Sequence, residues 1–105
     1  MKAEYEALAK ANENSWRILF SIANVFSYNE YFKEAIQMWQ KTFDCMPKPR
    51  YTDSFEAMAQ CCVRMGDHER AVEYYKKELE LLREDWGLKY GAEVDALEEK
   101  IRALQ

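Results

Sequence analysis

Ala35 and Ala71 sit in one pattern written twice, 36 residues apart. Glu34-Ala35-Ile36-Gln37-Met38-Trp39-Gln40-Lys41 aligns with Arg70-Ala71-Val72-Glu73-Tyr74-Tyr75-Lys76-Lys77. Upstream of each alanine the match continues at identical offsets: Leu19, Ile22, Ala23 and Phe26 before the first, and Phe55, Met58, Ala59 and Cys62 before the second. The spacing large-x-x-large-small-x-x-large places these side chains on one helical face. A period of this length is a strong constraint. Each unit reads as a helix pair that cannot bury its apolar face alone, so neighbouring elements must cover it.

The second copy is the clearer one. Gly66-Asp67 breaks the chain between two helices, and Ala71, Tyr75, Leu79 and Leu82 then form one apolar stripe. Glu73 and Lys77 stand four apart in the favourable order. Only three glycines and two prolines are available, too few for a sheet with many turns, and the expectation is an all-α chain. The expected helices are Lys2 to Asn12, Ser15 to Tyr28, Phe32 to Cys45, Asp53 to about Met65, His68 to about Asp85, and Ala92 to Leu104. Asn12 to Ser15 supply a capping break. Pro47 and Pro49 stop the third helix. Asp53 and Glu56 have capping-box spacing for the fourth. Tyr5, Leu8 and Ala9 give the first helix a weak stripe, and Val94, Leu97 and Ile101 give the last one a face to lay on the second unit.

With these residues in view, the chain resembles the tetratricopeptide repeat, a helix pair of 34 residues. Trp16 to Pro49 would be repeat 1, with Leu19, Ile22, Ala23, Phe26, Phe32, Ala35, Trp39 and Pro47 at the repeat's marked places. Thr52 to Asp85 would be repeat 2, with Phe55, Met58, Ala59, Cys62, Gly66, Asp67, His68, Ala71 and Tyr75. Four positions depart from the pattern. Glu30 replaces the turn glycine of repeat 1, Thr42 and Glu78 replace the last alanines, and Arg83 replaces the closing proline of repeat 2. The resemblance implies a single domain over residues 1–105: a short right-handed α-solenoid of two helix pairs, an N-terminal helix over 2–14, and a capping helix over 92–105.

A second likeness lies near the C-terminus. Leu81-Leu82-Arg83-Glu84-Asp85-Trp86-Gly87-Leu88, followed by Glu93-Val94, Leu97 and Ile101, is similar to the close of the bacterial transcriptional activator domain. Trp86 and Tyr90-Gly91 depart from it. This likeness implies an alternative reading, a helical effector or oligomerisation part of a transcriptional regulator.

Charge narrows the partners. The net charge is −4, and from Glu78 to Glu99 eight acids face only Arg83 and Lys89. Such a segment repels phosphate, so no direct nucleic-acid contact is expected. No apolar run reaches the length of a membrane span. Three cysteines without paired spacing read as reduced thiols of a cytoplasmic protein. Cys45, Cys61, Cys62 and His68 do not make a zinc set, because helix neighbours such as Cys61 and Cys62 point about 100° apart. With one histidine and no phosphate loop, neither catalysis nor a cofactor is expected.

What remains is binding. In stacked repeats the first helix of each pair lines the concave side. The candidate partner-binding residues there are Arg17, Phe20, Asn24 and Tyr28 in repeat 1, and Glu56, Gln60 and Arg64 in repeat 2. The mixture suits an extended peptide or a partner helix. Chaperone-binding members of the resembled family grip a C-terminal carboxylate with Lys and Asn on this face. Only Asn24 matches, since Phe20 and Ala57 occupy the other places, and no such grip is expected. Trp16, Phe20 and Tyr28 would also offer a patch for a homodimer, or for a self-associating structural solenoid.

Overall fold

A computed structural model describes all 105 residues as six helices and no strand: α1 (Lys2–Ala11), α2 (Trp16–Tyr28), α3 (Phe32–Cys45), α4 (Asp53–Arg64), α5 (His68–Trp86) and α6 (Ala92–Leu104). The all-α class is as expected. The helix boundaries fall within two residues of their expected places, except that α1 ends at Ala11 and not at residue 14, the bound given for the N-terminal helix. The chain divides into two compact units, Met1–Pro47 and Lys48–Gln105.

In the first unit α2 packs along α3, and α1 lies on α2. Leu19, Ile22, Ala23 and Phe26 are buried, as are Ala35, Ile36 and Trp39 across the pair. The Phe26 ring is held edge-on by Tyr5 and by Tyr31, each with its centroid 6.2 Å away. Ala9 of α1 is buried, but Leu8, expected on the same stripe, is 45% exposed. Ser15 caps α2 by accepting a hydrogen bond from the Ile18 amide. Met46 ends α3 in extended backbone, the conformation a following Pro47 imposes.

In the second unit α4 packs along α5, and α6 covers α5 on another side through Val94, Leu97 and Ile101. Helix α5 is therefore buried on more than the one stripe its periodicity shows. Val72, Tyr74, Glu78 and Leu81 are inside as well. Glu73 makes no ion pair with Lys77, whose ammonium lies 5.7 Å over the Tyr74 ring. Nor does α4 open with a capping box. Asp53 is its first residue rather than its cap, Thr52 makes no side-chain cap bond, and Glu56 is drawn away to Lys100 of α6 at 3.0 Å. Arg50 docks the loop before α4 onto the end of α5. Its guanidinium donates to both oxygens of Asp85 at 2.7 and 3.0 Å, its amide donates to the same carboxylate, and its carbonyl accepts from the Trp86 indole.

The two first helices end in the same turn. In each unit an amide donates back across the turn over 2.8 Å, Tyr31 to the Phe26 carbonyl and Asp67 to the Cys62 carbonyl. The turn needs a left-handed residue. Gly66 supplies it in the second unit at φ 79°, and Glu30 is forced into it in the first at φ 65°. A side chain there costs roughly 1–2 kcal/mol. Glu30→Gly removes that strain and gives back about half to the unfolded chain's added freedom. The expected result is a gain of about 0.5–1 kcal/mol in unfolding free energy, read from urea titrations. A loss on substitution would mean that the Glu30 side chain stabilises the turn.

Candidate functional site

Along α2, Arg17, Phe20, Asn24 and Tyr28 fall at intervals of three and four residues, one stripe about 16 Å long. Tyr28 is 86% exposed, and Arg17 and Asn24 are exposed with it. The Arg17 guanidinium lies 5.0 Å from the Trp16 ring. Phe20 differs from these three. It is only half-exposed, and its ring meets Trp39 of α3 edge-on at 6.3 Å, so part of its surface is spent inside the helix pair.

On α4, Glu56, Gln60 and Arg64 form the corresponding stripe at intervals of four. Gln60 and Arg64 are exposed. Glu56 is half-buried and engaged, because α6 brings Lys100 to it. The candidate residues thus divide. Arg17, Asn24, Tyr28, Gln60 and Arg64 face outward, while Phe20 and Glu56 also serve the packing of their own units.

A feature not read as a site lies deeper in the second unit. Glu78 is 5% exposed, and its Oε1 has no hydrogen-bond partner. It lines a cleft of about 260 Å³ bounded by Thr52 and Glu56, by Leu82, and by Glu93, Leu97 and Lys100 of α6. Burial, and then the nearby Glu56 carboxylate, push its acid up to about 8, with Lys100 pulling the other way. The sequence carried a trace of this, since Glu78 stands where the repeat pattern wants a small alanine. Thr42, the corresponding residue of the first unit, is buried too, but its hydroxyl donates to the Trp39 carbonyl at 2.5 Å.

The residues with reactive chemistry are not assembled. No disulfide joins the three cysteines, and burial raises the thiols of Cys45 and Cys62 away from the nucleophilic form. No three His, Cys, Asp or Glu side chains converge as a metal-ligand set. No helix is long and apolar enough to cross a membrane.

No curated protein matches the chain. The family model of the tetratricopeptide repeat matches residues 54–85, which run from the first turn of α4 almost to the end of α5. Over those residues the chain is similar to the tetratricopeptide repeat.

Proposed function

We propose that the chain is a non-enzymatic protein–protein interaction module, and that the exposed stripe of α2 and that of α4 each take up a peptide or a partner helix. Repeats of this family generally bind proteins or peptides. The observation that carries the reading is Tyr28, a large aromatic left 86% exposed on the stripe that Arg17 and Asn24 continue. Exposed tyrosine offers apolar area with few torsions to freeze, and Asn24 and Gln60 each bring a donor and an acceptor for a peptide backbone. Arg17 and Arg64 add positive charge to a chain of net charge −4, which favours a partner segment that carries carboxylates. The same net charge disfavours nucleic acid, and three cysteines with no disulfide suit a reducing cytoplasm.

The test uses residues that the packing does not need. Tyr28→Ala combined with Gln60→Ala should leave the helical circular dichroism unchanged. The same double substitution should remove the proteins that photo-crosslink to the wild-type chain through probes placed at Asn24 and Arg64. Retention of every crosslinked protein by the double variant would defeat the reading.

A further inference from the structure

The cleft between α4, α5 and α6 contains a buried carboxylate that the fold does not satisfy. Glu78 lies at 5% exposure with Oε1 unpartnered, a condition that ordinarily costs a protein stability. The charges around it are unbalanced. Glu56 and Glu93 bring two carboxylates to the cleft and Lys100 brings one ammonium, already held by Glu56 at 3.0 Å and lying 5.6 Å over the Tyr75 ring. The remaining wall is Thr52 together with the apolar Leu82, Ala96 and Leu97. At about 30 Å³ for a water molecule, 260 Å³ leaves room for a side-chain head group and part of its stem. A terminal carboxylate torsion is soft, so either oxygen of Glu78 can turn to the opening.

We propose that this cleft is a receptor for one organic cation, an ammonium or guanidinium head on an aliphatic stem, with the Glu78 carboxylate as the group that binds it. The head supplies the donors that Glu78 lacks, in a charge-assisted hydrogen bond. The stem lies along Leu82 and Leu97 in the way lysine and arginine stems cover apolar surface. A divalent metal fits less well, because the carboxylates do not converge as a ligand set. Binding exchanges one proton: protonated Glu78 plus the cation gives the carboxylate–cation pair plus a proton released to water. The site does not depend on the stripes of α2 and α4. Glu56 alone is common to both, and it is already occupied by Lys100.

The experiment is an amide NMR titration of the whole chain with three probes: n-butylammonium chloride, the blocked peptide acetyl-Ala-Lys-Ala-amide, and sodium chloride at matched ionic strength. Saturable shifts at Leu82, Ala96 and Leu97 are expected with the organic cations and not with sodium. Glu78→Gln keeps the size and removes the charge, and it should weaken binding at least tenfold. In the wild type the apparent Kd should tighten about tenfold from pH 6 to pH 7 and level off above pH 8, because the group that must ionise is held near 8. If butylammonium alone binds, the natural cation is a free amine. If the peptide binds as tightly or more so, it is the side chain of a partner protein. Equal shifts with sodium, or a Glu78→Gln chain that titrates like the wild type, would overturn the proposal.

Discussion

Raising the pH from about 5 to about 8 should lower the unfolding free energy of this chain by on the order of 4 kcal/mol, and Glu78→Gln should remove most of that fall. In the folded chain the acid holds its proton up to about 8. In the unfolded chain the same acid ionises near 4.5, its ordinary value. Between these two values the unfolded state binds fewer protons than the folded one, so stability decreases as pH rises, by up to about 1.4 kcal/mol per unit. Above the folded value both states are ionised and the decrease stops. The groups that face Glu78 act in both directions. Glu56 and Asp53 of α4 and Glu93 of α6 oppose its ionisation, and Lys100 of α6 favours it. Asp85 gives the opposite slope at the acid end. Arg50 holds it down to about 2, so its contribution is present above the ordinary carboxylate value and is lost as pH falls through 2. Maximum stability is therefore expected near pH 4–5, below the usual range. Urea unfolding followed by circular dichroism from pH 4 to pH 9 measures this directly. A flat wild-type profile above pH 5 would show that Glu78 ionises normally and is solvated.

The periodic part of the molecule was legible because it rests on repeated small and large residues. Ala23, Ala35, Ala59 and Ala71 are all fully buried, at the places where the doubled pattern puts them. What the periodicity missed depends on contacts between elements distant in sequence. Glu56 reads as half of a capping box only while Lys100, 44 residues on, is out of view. Leu8 reads as part of a stripe, yet the short α1 buries only Ala9 completely. Arg50 and Asp85 carry no mark of their pairing across 35 residues. Glu78 is the instructive case. Its departure from the repeat was visible, but a glutamate on a helix ordinarily reads as solvated surface, and the packing of α4 and α6 against α5 makes it a buried acid beside a cleft.

Ala71→Leu should lower the unfolding free energy by about 1–3 kcal/mol. Ala71 is fully buried near the start of α5, in the helix pair whose other member places Ala59, also fully buried, on its inner face. Two small residues let the helices approach closely. The added atoms of leucine have no space in a close-packed interior and must push side chains off their rotamers or drive the helices apart. At about 4–8 °C per kcal/mol for a chain of this size, the expected fall in midpoint temperature is roughly 5–20 °C. Ala103→Leu makes the same chemical change at an exposed position of α6 and controls for helix propensity. It should shift stability by no more than about 0.5 kcal/mol. Were Ala71→Leu to melt with the wild type while Ala103→Leu behaved as expected, the close approach of α4 and α5 at Ala71 would be wrong. The pairing of small residues that defines the repeat would then need another physical basis.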